Sequence, residues 1–153
     1  STQAKTLFPY TTLFRSSYQF TTLEPSLGDM HGFILADIPG LIEGASEGKG
    51  LGDKFLRHIE RTKMLIHCIS LESEDIARDY KTIRKELEAF DPSLITKKEI
   101  LLLTKTDLID EKTLKAKIKE AKKLNKDIYS VSVIDDVQTK TLKDDLVKML
   151  RGI

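Results

Sequence analysis

Four short, nearly unbroken apolar runs punctuate the chain, with helical periods in the spaces between them. The runs are HGFILAD (31–37), MLIHCIS (64–70), EILLLT (99–104) and IYSVSV (128–133), each the length of a strand covered on both faces. Between and after them, apolar positions recur every three or four residues. One such period runs from Leu51 to Thr62 through Leu51, Phe55, Leu56 and Ile59, and a second from Glu74 to Phe90 through Ile76, Tyr80, Ile83, Leu87 and Phe90. A third carries Leu114, Ile118, Ala121 and Leu124, and a fourth Leu142, Leu146, Met149 and Leu150. Strand alternating with helix predicts an α/β domain whose mainly parallel sheet is wrapped on both faces. In such folds ligands gather at the carboxyl ends of the strands, so the residues just after each run carry the chemistry.

After the first run comes Asp37-Ile38-Pro39-Gly40. A carboxylate at a strand end can hold Mg²⁺ through water, and a glycine three residues later can offer its N–H to a terminal phosphate. A plain turn is the competing reading. Five of the chain's eight glycines fall in residues 40–52, which favours a loop that moves or approaches a ligand closely. After the third run, Thr104-Lys105-Thr106-Asp107 places a carboxylate that can accept from guanine's N1–H and exocyclic amine, a pairing adenine cannot offer. A capped polar loop is the alternative there. At the end of the fourth, the backbone of Ser130, Val131, Ser132 and Val133 could contact the base edge opposite Asp107.

Composition narrows the class without choosing within it. The 153 residues are 40% apolar and 32% charged, ordinary for a globular domain, and the net charge of +1 gives no general pull toward nucleic acid. Cys68 is the single cysteine, which excludes an intrachain disulfide or a cysteine zinc site and fits a reducing cytoplasm. No apolar run reaches a bilayer's thickness, and no signal-peptide order opens the chain. His58 and His67 have no second metal ligand at useful spacing and read as structural or surface residues. Lysines crowd residues 112–126, a solvated face or a footprint for RNA phosphates.

The order of these pieces, and above all DIPGLIEGASEGKGLGDKFLRHIERT (37–62), resembles the Obg family of GTPases, and the likeness continues through DYKTIRKELEAFDPSL and LLLTKTDL to cover roughly residues 18 to 152. The resemblance implies a P-loop NTPase, GTPase-type three-layer sandwich. It implies a switch that binds GTP or GDP and hydrolyses GTP with Mg²⁺, serving large ribosomal subunit assembly in the cytoplasm. It further implies a monomer whose partner is the large ribosomal subunit or its RNA, without DNA or membrane. Carried over position by position, it marks Phe20, Thr21, Thr22, Leu23, Glu24, Asp37, Ile38, Pro39, Gly40, Thr104, Lys105, Thr106, Asp107, Ser132 and Val133 as nucleotide-binding. Thr22 and Asp37 are the metal ligands, and Thr22 and Gly40 act on the γ-phosphate.

The chain departs from the family at two places, and at a third, Leu41, from many GTPases more widely. Thr104 stands where the family has Asn, whose amide ties the base loop to the phosphate loop. Leu41 stands where many GTPases have a water-orienting Gln, so that Glu43, Glu47 or a partner would have to supply polarity. No G-x-x-x-x-G-K-[ST] occurs, and Gly48-Lys49-Gly50 lacks the hydroxyl residue. The N-terminal strand and P-loop helix are accordingly expected to be missing, with Ser1–Lys5 resembling the end of that helix. The threonine pair occurs twice, at Thr11-Thr12 and Thr21-Thr22. The family segment matches the second copy, and residues 6–17 resemble translated sequencing adapter, real insertion being the alternative. The expected division is a non-native 1–17 and a partial GTPase domain over 18–153.

Overall fold

The computed structural model describes residues 3–8, 27–37 and 61–153. Six strands form one sheet: β1 (Gln3–Phe8), β2 (Leu27–Met30), β3 (Phe33–Asp37), β4 (Met64–Ser70), β5 (Lys98–Thr104) and β6 (Ile128–Val131), in the order β2-β3-β1-β4-β5-β6. Three α-helices accompany them, α1 (Ile76–Phe90), α2 (Glu111–Ala121) and α3 (Asp136–Arg151). Each begins at an aspartate whose carboxylate accepts an otherwise orphaned amide: Asp75 from Arg78 at 2.8 Å, Asp110 from Thr113 at 2.8 Å and Asp135 from Gln138 at 2.9 Å. The helical period predicted over 51–62 lies almost wholly outside the described residues.

The sheet is three-layered, as the period-two alternation of its strands requires. Met64 and Ile66 of β4 and Ile100 and Leu102 of β5 pack with Leu142, Leu146 and Leu150 of α3 on one face. On the other, Ile69, Leu101 and Leu103 meet Ile76 and Tyr80 of α1 and Ala121 of α2. No helix among the described residues is long and apolar enough to cross a membrane.

The ladders are mixed. β4, β5 and β6 are parallel, while β1 is antiparallel to both β3 and β4, and β2 is antiparallel to β3. It follows that β3, β4, β5 and β6 share one direction and deliver their carboxyl ends to one edge of the sheet.

Two expectations change. Gln3–Phe8 is a strand rather than the end of a helix. The unpaired backbone rows of β3 and β4 create that demand, and an extended segment between them satisfies both. Because β1 runs against its neighbours, its carboxyl end points away from the edge where β4, β5 and β6 finish. It therefore does not stand in for the strand that leads into a phosphate loop. The second change concerns the first apolar run, which starts later than expected. His31 (φ 52°) and Gly32 (φ 87°) form the two-residue turn of a β2–β3 hairpin, with the Gly32 N–H donating to Asp29 Oδ1 at 3.0 Å.

Beneath the α1 face lies a buried ionic cluster. The Glu99 carboxylate pairs with Arg84 and with His67 Nδ1, the latter at 3.2 Å. Arg84 also donates to the Ile95 carbonyl at 3.1 Å. The His67 ring stacks on Tyr80 with centroids 4.9 Å apart, which gives it the structural role expected, and its Nε2 has no partner among the described residues. Burial pushes the Glu99 carboxyl up, but His67 and Arg84 outweigh it and hold the group below its ordinary range.

The sign of the pH dependence follows. A carboxylate with a depressed folded pKa stabilises the fold fully above its ordinary value of 4.5, and that contribution is lost as pH falls through the lower folded value. Glu99→Gln is expected to flatten the acid limb of the stability profile below about pH 5 and to cost roughly 3 kcal/mol at neutral pH. Urea unfolding across that range measures both.

Candidate functional site

The end of β5 turns sharply into the site. Lys105 adopts a left-handed conformation (φ 64°), and a short 3₁₀ turn, Thr106–Leu108, follows before the Asp110 cap of α2. A lysine in that region costs roughly 1–2 kcal/mol relative to ordinary backbone. Its side chain is held by Glu72, which follows β4, and the hydrogen bond from Lys105 keeps the Glu72 carboxyl below its ordinary range. Both members are about half exposed, at 41% and 52%, so this pair orients the loop more than it stabilises the fold. Thr104 bridges β5 to β4: its carbonyl accepts the Leu71 N–H at 3.0 Å, and its hydroxyl reaches the Ile69 carbonyl at 3.5 Å, the limit of a hydrogen bond.

The end of β6 meets this loop from the other side. Ser132 is buried, and its hydroxyl donates to Asp107 Oδ1. Its N–H donates to Gln138 Oε1 at 2.9 Å, and the same oxygen accepts from the Thr106 hydroxyl at 3.4 Å. One carboxamide from the first turn of α3 thus joins the loops after β5 and β6. A cavity of about 630 Å³ opens here, lined by Thr106, Asp107, Ser132, Ile134 and Gln138 among others. An ionised carboxylate has roughly four acceptor positions, so the Ser132 bond leaves Asp107 able to accept from a ligand.

Of the residues marked from the sequence, Thr104, Lys105, Thr106, Asp107, Ser132 and Val133 are therefore brought to one corner. Val133 is 44% exposed beside it. Asp37 ends β3, which runs in the direction of β4, β5 and β6, and the ladders through β1 set it level with Ile66, four residues before the end of β4. Phe20, Thr21, Thr22, Leu23, Glu24, Ile38, Pro39 and Gly40 lie outside the described residues, as do Leu41, Glu43, Glu47 and His58. Mg²⁺ needs only one or two protein ligands when substrate phosphates complete its shell, so a single carboxylate at a strand end fits that donor set. No group of three or more metal-ligating side chains occurs among the described residues.

Two participants escaped the sequence reading. Gln138 had a local signal, because it stands three residues after the Asp135 cap, where a glutamine commonly completes a capping box. Here its side chain reaches instead to Ser132. Glu72 had none, since only the parallel pairing of β4 with β5 brings it to Lys105.

A sheet whose parallel strands β4, β5 and β6 end beside a loop-held aspartate and a cavity is that of a GTPase-type nucleotide domain. The chain belongs to the 50S ribosome-binding GTPase family, whose model matches residues 1–105. The match ends two residues before Asp107, so the Asp107–Ser132 corner rests on the geometry above.

Replacing Gln138 with Leu removes the acceptor shared by the two loops. A bond of this kind contributes about 1 kcal/mol, so the Ser132 amide is expected to exchange with solvent roughly fivefold faster, while amides of β5 keep their protection. Hydrogen exchange followed by NMR checks this.

Proposed function

We propose that this chain is the guanine-nucleotide switch of an Obg-type GTPase, acting in large ribosomal subunit assembly in the cytoplasm as a monomer. The observation that carries the reading is the Asp107–Ser132 corner: a carboxylate oriented by a buried hydroxyl, beside a cavity, at the carboxyl edge of a parallel ladder. Asp107 would accept from guanine's N1–H and amine, and the Lys105 stem would pack on the base. Mg²⁺ would be held by Thr22 and Asp37, and it would neutralise phosphate charge. The Gly40 amide would sense the γ-phosphate, and departure of that phosphate would release both switch segments.

A second reading has an observation of its own. β1 is antiparallel to β4, and no G-x-x-x-x-G-K-[ST] occurs in the 153 residues. A domain of these residues alone would keep a base site without a phosphate cradle, and would act at most as an interaction module.

Two measurements divide these cases. Titrated into the 153-residue chain, guanosine is expected to move the amide resonances of Asp107 and Ser132 at roughly 10- to 100-fold lower concentration than adenosine, the discrimination of one bidentate pair. Asp107→Asn should transfer the preference to xanthosine, and equal response to all three nucleosides would remove Asp107 from the base site. By calorimetry, the same chain is expected to bind GTP weaker than micromolar, because two or three absent charge-assisted bonds at roughly 1.5–3 kcal/mol each cost several orders of magnitude. Grafting a strand, phosphate loop and helix of the family type in place of residues 1–17 should restore tight binding. In that background Thr22→Ala should impair Mg²⁺-dependent hydrolysis and Thr12→Ala should not.

A further inference from the structure

The segment from α2 to β6 concentrates more positive charge than the contacts of the described fold engage. Residues 111–126 hold seven lysines against two glutamates, a net +5, in a chain whose total is +1. α3 has no such excess, with four cations against three carboxylates over 136–151. The surplus is also directional. Leu114, Ile118 and Ala121 face the sheet. At 100° per residue, Lys112, Lys115 and Lys119 fall on one stripe within about 60° of arc, roughly 120° around the helix from that apolar line, and Lys122 and Lys123 follow in the turn at its end.

All five of those lysines are exposed. Lys115 pairs with Glu111 at 2.7 Å, and the other four make no ion pair among the described residues. Lys117 lies off the stripe and is used internally, donating to the carbonyls of Leu71 and Ser73 at 2.5 and 2.7 Å. The contrast separates a structural lysine from outward ones. α1, which covers the same face of the sheet, adds exposed Lys81 and Lys85, four residues apart and likewise without an ion pair among the described residues.

Like charges at three- and four-residue spacing repel along a helix, so the stripe works against α2 as an isolated element. A row of anionic groups laid along it would reverse that sign. A single small anion could satisfy only one or two of the lysines, whereas a polymer with regularly spaced phosphates could satisfy the row and release its counterions. We propose that the outer face of α2, flanked by Lys81 and Lys85 of α1, docks on the phosphate backbone of RNA. The choice of RNA over other polyanions rests on the ribosomal part of the function proposed above and is independent of its nucleotide part.

The test uses the 153-residue chain and a synthetic RNA duplex of about 20 base pairs, with binding followed by anisotropy from about 50 to 200 mM salt. The wild-type chain is expected to bind with a steep salt dependence. Substituting Lys112, Lys115, Lys119 and Lys123 together with Gln should weaken binding at least tenfold at the low-salt end and reduce the log–log slope by about three. The same four positions changed to Arg should retain binding, which separates loss of charge from loss of fold. Lys140, Lys143 and Lys148 changed to Gln on α3 should leave the affinity within about twofold. The proposal is overturned if the wild-type chain does not bind the duplex, if the α2 and α3 variants weaken it equally, or if anionic phosphatidylserine vesicles bind the stripe and RNA does not. The guanosine titration repeated on the α2 Gln variant is expected to be unchanged. A missing guanosine response with intact RNA binding would count against the base site alone.

Discussion

The register of one parallel ladder sets the rest of the site. Ser70 of β4 lies beside Thr104 of β5, and Thr104 beside Val131 of β6, so three strands end at the same level. The chain leaving each must then turn in the same small region. Backbone groups at those ends need partners, and the Leu71 N–H to Thr104 carbonyl bond meets part of the need directly. Side chains meet more of it: Ser132 bonds Asp107, Gln138 bonds Ser132 and Thr106, and Lys105 pairs with Glu72. A shift of one strand by a single residue would turn that strand's own side chains to the opposite face and move the loop that follows it out of this level.

Charge is divided by depth. The buried Glu99 is surrounded by Arg84 and His67 near the amino ends of the strands, where an unpaired carboxylate would be costly. At the carboxyl edge the buried Ser132 sits beneath groups that are partly exposed, among them Lys105 and Glu72 at 41% and 52%. Farther out on α2, Lys117 is tied to the Leu71 and Ser73 carbonyls and Lys115 to Glu111, while Lys112 and Lys119 make no ion pair among the described residues. This gradient separates what maintains the domain from what it can offer to other molecules.

Much of this architecture was legible because burial on both faces leaves a plain trace. MLIHCIS predicts β4 residue for residue, and EILLLT predicts β5 to within one residue of its start. The helical period from Glu74 to Phe90 locates α1 within two residues. Asp107 and Ser132 were readable as candidates because chemistry concentrates after parallel strands. The direct bond between them was not, since it joins residues 25 positions apart. The His31-Gly32 turn was hidden because an apolar run shows burial but not the sign of φ.

Periodicity, strand ends and residue chemistry therefore determined the class of fold, the edge that carries the site and the residue types that could read a base. These are local properties, written in spacing and side-chain type. Tertiary structure decided the reversed β1 between β3 and β4, the role of Gln138 as the joint between two loops, and the pairing of Glu72 with Lys105. Each depends on which distant backbone has unmet hydrogen bonds or which distant charge arrives nearby. Only the closed sheet fixes those neighbours.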